Sequence, residues 1–292
     1  MFIDIHVHTR RIPGPARSNG QTYATPDELL ARYDAIGVER AVVLPGVSPE
    51  CAHVPQSNEE VIEVSAQSGG RFIPFCNVDP RAESNAPDAD LGRLLEHYRG
   101  LGCKGVGEVT ANLPIDDGRV QNLFACCQAV GLPLTFHLTD RIGGTYGLYD
   151  EPNLPGLRRA LAAHPNLIFL GHSQPFWAQI APLAPGVNRA GYPTGPVADG
   201  GAVPELMRRY PNLYGDLSAH SGYNALARDE DHAAAFIEEF QDRLLFGTDI
   251  CAPDTPTPLV DLLCRLRDEG RISERAFQRI ARGNAIRLLD LA

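Results

Sequence analysis

The feature that most constrains the fold is a regular alternation of short apolar runs with longer amphipathic stretches along the chain. The runs are rich in β-branched and aromatic residues, which favour strands, and the intervening stretches repeat apolar residues at helical spacing. Because each run is followed by a helical stretch, parallel strands with crossover helices are expected. The predicted strands are Phe2–Val7, Arg40–Leu44, Phe72–Val78, Gly105–Val109, Leu132–Leu138, Leu167–His172, Leu213–Leu217 and Arg243–Thr248.

Signals for helix starts and ends separate these runs. Thr25 is a candidate N-cap, with Pro26 in the first helical position and Glu28 placed to complete a capping box. Glycine stands between several helical stretches and the next strand, as at Gly37 and Gly131. Eight strands alternating with helices predict an α/β fold, a distorted (β/α)8 TIM barrel, which we expect residues 1–292 to form as one domain.

A doubly wound open sheet is the alternative architecture. It would usually carry a glycine-rich phosphate loop after the first strand, and the sequence has none there. Two long insertions, Asp140–Pro152 after the fifth strand and Pro175–Gly201 after the sixth, fall on the face of a barrel where active sites lie. Lids and ordinary surface loops are equally open interpretations of these insertions.

Composition narrows the class of partners. The net charge is −10, and no basic run is longer than a pair, so nucleic acid is not an expected partner. No apolar stretch approaches the length of a membrane span, and the N-terminal residues do not resemble a signal peptide. The seven cysteines contain no CxxC pair. We therefore expect a cytoplasmic protein with reduced thiols that acts on a small molecule, with a homodimer possible.

Two histidines interrupt the first predicted strand, which reads FIDIHVH from residue 2. Because side chains alternate between the faces of a strand, the apolar residues from Ile3 to Val7 should pack against helices while His6 and His8 face inward. Their Cα atoms would be roughly 6–7 Å apart, close enough to bind one ion through Zn–N bonds of about 2.1 Å. Asp4 shares the inward face one layer deeper, where we expect it to orient a histidine.

Four other predicted strands also end in side chains that commonly bind metal. In a barrel these strand ends meet around one mouth. Four imidazoles and two carboxylates there would suit one or two divalent cations. If the same residues served packing alone, they would bury charge without neutralising it, at considerable cost in stability. The predicted metal ligands are His6, His8, Glu108, His137, His172 and Asp249.

The order of these motifs resembles the amidohydrolase superfamily, and more narrowly its amidohydrolase-related branch, amidohydrolase 2. The matching segments are DIHVH at 4–8, GHS at 171–173, FGTD at 246–249 and GNAIRLL at 283–289, so the resemblance covers essentially the whole chain. It implies a distorted barrel with one or two divalent metal ions, zinc first, with manganese, iron or nickel as alternatives.

The resemblance also implies roles for particular residues. Asp249 would take a proton from the attacking water, and Glu108 stands where TatD-like members place a glutamate that bridges two metals. His172 or a metal would polarise the substrate carbonyl. Glu108 favours hydrolysis over the other possible reactions, because a single-metal decarboxylase has no need of a further anion beside its carboxylate substrate.

The leading hypothesis for the reaction is hydrolysis of a C–N or C–O bond in an amide, lactone or ester, and a phosphoester is possible with the same residues. The alternative within this branch is metal-dependent non-oxidative decarboxylation of an aromatic or unsaturated carboxylic acid. A non-catalytic metal-binding barrel is disfavoured, because Asp249 and the histidines are arranged as catalysis requires.

Substrate contacts are predicted from loop position. Arg10 and Arg11 follow the first strand and Arg141 follows the fifth, where a guanidinium can hold a carboxylate or phosphate in a bidentate contact. His220 follows the seventh strand and could touch substrate. The aromatic residues of the insertions, which we expect to form an apolar pocket wall with the single tryptophan foremost, are Tyr146, Tyr149, Trp177 and Tyr192.

Overall fold

Parallel strands alternate with helices through residues 1–17, 19–52, 54–184 and 186–291, which are the residues that the computed structural model describes. The architecture is the α/β barrel expected from the sequence, with long connections on the face where the strands end. The strands are β1 (Phe2–Val7), β2 (Val38–Val43), β3 (Phe72–Pro74), β4 (Val106–Val109), β5 (Leu134–Thr139), β6 (Leu148–Tyr149), β7 (Phe169–His172), β8 (Leu213–Asp216) and β9 (Leu244–Leu245). The helices are α1 (Pro26–Ile36), α2 (Asn58–Gln67), α3 (Leu91–Gly100), α4 (Gly118–Val130), α5 (Pro155–Ala163), α6 (Gln174–Trp177), α7 (Ala202–Arg209), α8 (Ala219–Ala227), α9 (Glu230–Phe240), α10 (Pro258–Asp268), α11 (Glu274–Gln278) and α12 (Asn284–Leu289).

Local chemistry explains where the first helix begins and ends. The Thr25 side chain accepts a hydrogen bond from the Glu28 N–H, and the Glu28 carboxylate accepts one from the Thr25 N–H at 2.9 Å. This reciprocal pair is the capping box that the sequence predicts. Gly37 ends the helix at φ 77°, a left-handed conformation that glycine adopts without steric cost.

Two parallel ladders make up the barrel wall. The first contains β1, β2 and β3, and the second contains β4, β5, β7, β8 and β9, with β6 paired to β5. Isolated bridges between Val7 and Ile250 and between Cys76 and Val106 join the edges of the two ladders. Because all strands run in the same direction, their carboxyl ends meet on one face, which is where the predicted metal ligands lie.

The faces of β1 do not follow strict alternation. Ile3 and Ile5 pack in one apolar cluster with the strand residues Leu170 and Leu245 and with Ala285 and Leu289 of α12. The pairing of β1 with β2 shifts between Asp4 and Val7, so the side chains on either side of that irregularity no longer keep a two-residue period. Val7 belongs to a different cluster from Ile3 and Ile5, so the prediction that the three side chains share one face is wrong.

Both predicted insertions contain ordered structure. Residues 148–149 of the first form β6, which pairs with Leu138 and Thr139 of β5. The second begins with α6 and a 3-10 turn over Ala178–Ile180, and both of these segments are buried. The stretches that remain irregular are therefore shorter than the sequence suggests. In the described part of the chain, no helix has both the length and the apolar character needed to cross a bilayer.

Arg81 ties together the connections that follow β2 and β3. Its guanidinium donates to both carboxylate oxygens of Glu50, at 2.5 and 2.9 Å, and to Asp79 at 2.7 Å. Burial by itself would raise the pKa of Asp79, but the bonds from Arg81 outweigh it and lower that pKa. The bonds from Arg81 are also the main reason that the pKa of Glu50 is lowered.

Replacing Arg81 with Met should lower the free energy of unfolding at pH 7 by about 1–2 kcal/mol, because two carboxylates lose charge-assisted bonds. Since both carboxyl pKa values are depressed in the folded protein, this stabilisation is present above their ordinary values of 3.8 and 4.5 and is lost as the pH falls through the folded values. Urea unfolding should therefore show the two proteins converging as the pH falls below about 4.

The control is Arg93→Met, which removes an exposed pair with Glu83 and should cost less than about 0.5 kcal/mol. An Arg81→Met loss that is the same at neutral and acid pH would contradict the assigned ion pairs.

Candidate metal centre

Four electron-pair donors converge where β1, β4 and β9 end. The Nε2 atoms of His6 and His8 are 3.2 Å apart. The Glu108 Oε2 lies 3.7 and 3.5 Å from these two nitrogens, and the Asp249 Oδ1 lies 3.7 and 3.6 Å from them. Four ligands held tetrahedrally at about 2.1 Å from one ion would be about 3.4 Å apart. These separations therefore fit a shared divalent cation.

Hydrogen bonds to the far side of each ring determine which nitrogen carries the proton. The His8 Nδ1 lies 2.9 Å from the Leu44 carbonyl oxygen, which can only accept, so this nitrogen is the donor. The His6 Nδ1 lies 2.6 Å from Asp216 Oδ2 and donates in the same way. In the neutral rings both Nε2 atoms then present lone pairs to each other and to two carboxylates. A cation at their centre satisfies that arrangement.

The charges around His6 also favour a cation. Burial disfavours its charged form, but the carboxylates of Asp216 and Glu108 outweigh burial and raise the pKa of His6 well above its ordinary value. Burial likewise works against the charged form of Glu108, yet His137 and His6 hold its pKa well below the usual range. The carboxylates therefore stay ionised and the mouth carries a negative potential.

Glu108 faces a second pair of histidines with its other oxygen. The Glu108 Oε1 lies 2.6 Å from His137 Nδ1 and 3.7 Å from His172 Nε2. Burial and the neighbouring His6 lower the pKa of His172 to about 4, so this ring is neutral near pH 7. The Ser218 hydroxyl lies 3.0 Å from its Nδ1. The two oxygens of Glu108 thus face two different pairs of histidines.

Unusual backbone conformations place the two carboxylates. Gly107 has φ 136°, and a Cβ there would lie 2.7 Å from the Thr135 carbonyl oxygen, so only glycine fits before Glu108. Asp249 has φ 53°, a left-handed conformation, and its N–H donates to the His6 carbonyl oxygen at 2.8 Å. Such conformations occur often at functional sites, where the surroundings hold them in place.

Asp216 is a site residue that sequence reasoning missed. It ends β8 and is fully buried, with Oδ2 against the His6 ring and 3.5 Å from His172 Nδ1. Its Oδ1 accepts from the Ser218 N–H at 3.0 Å. The signal in the sequence is an aspartate at the end of the seventh predicted strand, the same position on a strand that the predicted ligands occupy.

The structure gives Asp4 a different role from the predicted one. Its carboxylate accepts from the N–H groups of His6 and Thr248, at 3.0 and 2.9 Å, and from the Tyr33 hydroxyl at 2.6 Å. Asp4 therefore fixes the backbone of β1 and of the chain after β9, whereas Asp216 orients the imidazole. The cause is the pairing shift in β1, which turns Asp4 toward α1. Burial raises the pKa of Asp4 to about 6.

A cavity of about 450 Å³ opens beside the metal donors. Of the predicted substrate contacts, Arg10 lines it, as does Tyr146, whose ring centroid is 4.6 Å from that of His137. Sequence reasoning did not identify two other residues of its wall, Arg17 and Tyr23. Both lie on the loop between β1 and α1. The argument from loop position that predicts Arg10 as a substrate contact therefore applies to them as well.

The predicted substrate residues Arg11, Arg141 and His220 do not line this cavity, and neither do Tyr149 and Tyr192. The Arg11 guanidinium pairs with Glu63 at 2.8 Å, and Arg141 pairs with its neighbour Asp140 at 3.1 Å. His220 is exposed, with its ring against Tyr192. These side chains lie on segments that follow the strands, but none of them lines the cavity beside the metal donors.

Trp177 is buried in the protein interior, so its prediction as a pocket residue is wrong. Only 1% of its surface is exposed, because α6 begins directly after β7 and turns the indole against the outside of the strands. Its Nε1–H donates to the Asp216 backbone carbonyl at 2.8 Å. The tryptophan therefore supports the residue that orients His6.

Replacing Asp216 with Asn should weaken divalent metal binding by about 10- to 100-fold, because the amide no longer holds the His6 ring as a carboxylate does. Competition titration with a fluorescent zinc chelator measures this change. The matched control is Asp150→Asn, which alters a buried carboxylate that accepts from the Gly156 and Leu157 N–H groups and should leave the affinity within about twofold. Equal metal affinity in the Asp216 variant and the unmodified protein would contradict this assignment.

Solved structures that resemble this chain share its fold. An amidohydrolase from Burkholderia multivorans with bound zinc aligns with a TM-score of 0.65 at 18% identity and covers 100% of both chains. An uncharacterised TIM-barrel protein from Bordetella bronchiseptica aligns at 0.64 with 21% identity, covering 99% of this chain and 98% of that one. The 5-carboxyvanillate decarboxylase from Sphingomonas paucimobilis aligns at 0.62 with 15% identity, covering 100% and 99%.

Sequence comparison identifies the family. No protein of curated function matches the chain closely enough to count as a relative. The family model described as amidohydrolase, amidohydrolase 2, matches residues 3–291, which is nearly the whole chain. This protein therefore belongs to the amidohydrolase 2 family of the amidohydrolase superfamily.

Proposed function

We propose that this protein is a metal-dependent hydrolase that cleaves a C–N or C–O bond of a small molecule, with amides, lactones and esters as the first candidates. The observation that carries the proposal is the placement of Glu108, whose two oxygens face the His6–His8 pair and the His137–His172 pair. A carboxylate shared in this way suits a binuclear centre, and binuclear centres activate water.

The donor set fits one or two divalent cations of the zinc type. Imidazole nitrogens and carboxylate oxygens suit zinc and manganese, and solved structures with this fold hold zinc or manganese. Such an ion, when bound, lowers the pKa of its bound water to about 7 and polarises a carbonyl oxygen. His6, His8, Glu108 and Asp249 would hold the first ion, and Glu108 with His137 and His172 the second.

Asp249 is placed to accept the proton of the attacking water. Its side chain is 24% exposed, against 6% for Glu108 and 0% for His6, so it is the carboxylate most open to the cavity. A carboxylate there can accept a proton from an attacking water and pass it to the leaving group. The left-handed backbone at Asp249 and its bond to the His6 carbonyl oxygen hold the side chain in that position.

Non-oxidative decarboxylation is the second candidate. It is favoured by the solved structures of 2,6-dihydroxybenzoate and 5-carboxyvanillate decarboxylases, which have this fold at 15–16% identity. The geometry of this chain argues for hydrolysis instead, because Glu108 places a permanent negative charge beside the position that a substrate carboxylate would occupy.

Replacing Asp249 with Asn should reduce kcat by about 10²- to 10⁴-fold, because the amide cannot accept the proton. The assay is hydrolysis of a panel of lactones, esters, amides and phosphoesters by zinc- or manganese-loaded protein, with metal content and circular dichroism recorded in parallel. Asp254→Asn alters an aspartate in the same connection that is hydrogen-bonded to Gln21, and it should keep full activity. Unchanged turnover in the Asp249 variant would rule out its proposed role.

Metal stoichiometry tests the bridging role of Glu108. Protein stripped with a chelator and reloaded should bind close to two zinc ions per chain, and Glu108→Gln should bind close to one, because the amide supplies only one neutral oxygen donor. Inductively coupled plasma mass spectrometry gives the count. Release of CO₂ from a carboxylic acid without uptake of water, together with one ion per chain in the unmodified protein, would replace the hydrolase proposal with decarboxylation.

A further inference from the structure

We infer that the substrate carries a carboxylate separate from the bond that is cleaved, and that Arg10 and Arg17, which both lie against the Tyr23 ring, bind this carboxylate. This inference rests on the proposed function and names its substrate class. The three residues line the same cavity as His8, Glu108 and Asp249.

The two guanidinium groups are placed against one aromatic ring. The Arg10 Cζ lies 4.5 Å from the centroid of the Tyr23 ring, and the Arg17 Cζ lies 4.2 Å from it. Stacking on an aromatic face restrains a guanidinium while leaving its edge N–H groups free to donate. Backbone bonds fix the neighbouring residue Ala24, whose carbonyl oxygen accepts from the Arg10 N–H and whose N–H donates to the Cys251 carbonyl oxygen.

The positive charge of these arginines is not neutralised by the residues that the structure describes. Within those ranges, neither Arg10 nor Arg17 has a carboxylate at ion-pair distance, whereas the adjacent Arg11 pairs with Glu63. Burial raises the pKa of Tyr23, so the neutral phenol beside the two guanidinium groups supplies no counter-charge.

Arg10 has hydrogen-bonding capacity left over. It is only 6% exposed, and its Nη2 donates to the Val54 carbonyl oxygen. Its Nε is buried, and among the described residues it has no acceptor. A buried guanidinium donor without a partner is costly, and a planar anion supplies two oxygens in the geometry that guanidinium prefers.

Opposite charges therefore occupy different parts of one cavity. Glu108 and Asp249 make the metal end negative, while Arg10 and Arg17 contribute positive charge to the wall formed by the loop after β1. A substrate carboxylate would be repelled by the free metal donors and attracted to the arginines. When the substrate carboxylate binds to the arginines, the bond that is cleaved lies at the metal end of the cavity. The arginines therefore determine which substrates are accepted.

Matched hydroxamates test this arrangement, because a hydroxamate binds a divalent metal and a second functional group can be varied. The zinc-loaded protein is titrated calorimetrically with butyrohydroxamic acid and with the monohydroxamates of succinic, glutaric and adipic acid. At least one carboxylate-bearing compound should bind tenfold or more tightly than butyrohydroxamic acid. Arg17→Met and Arg10→Met should each reduce that preference at least fivefold without changing the affinity for butyrohydroxamic acid.

Arg11→Met is the matched control, since it removes an arginine of the same loop that points away from the cavity, and it should retain the full preference. If butyrohydroxamic acid binds but the carboxylate gives no preference, or if the preference survives both substitutions, this inference is overturned while the metal site stands. If no hydroxamate binds, the proposed metal-dependent function fails, and the inference fails with it.

Discussion

The arrangement of negative charge at the mouth of the barrel is the constraint on which the rest of the site depends. Glu108 and Asp216 are buried, Asp249 is partly buried, and all three surround imidazoles whose Nε2 atoms present lone pairs. Removing carboxylates from water costs free energy, and a nearby positive charge is needed to offset that cost. In the absence of a metal ion, a proton on His6 can supply that charge. The carboxylates stabilise the protonated ring and so raise the pKa of His6. A divalent cation, when bound, would supply that positive charge instead.

Much of the surrounding structure serves to hold those donors still. The Leu44 carbonyl oxygen and the Asp216 carboxylate fix the two β1 histidine rings, and Trp177 in turn holds the backbone of Asp216. Asp4 joins the backbone of β1 to the chain after β9 through the N–H groups of His6 and Thr248. A change in any of these supporting residues therefore reaches the metal through the orientation of a ligand rather than through the ligand itself.

The cavity combines this negative centre with two arginines on the loop after β1. That asymmetry favours a substrate that brings its own carboxylate and keeps it away from the metal end. This distribution of charge also distinguishes the two candidate reactions, because a decarboxylase must bring the reacting carboxylate to the metal, beside Glu108. A hydrolase can leave the carboxylate with Arg10 and Arg17 and present a neutral carbonyl to the site.

The sequence by itself determined the alternation of strands and helices, the capping box at Thr25, and the polar strand ends that the structure brings together, because these depend on local spacing and on the shared direction of parallel strands. Only the tertiary structure decided the role of Asp4, since a pairing shift in β1 changes which face a residue occupies. It also decided that Trp177 is buried and that Asp216 rather than Asp4 orients His6. Those outcomes depend on contacts between residues far apart in the chain, and no spacing within one strand encodes them.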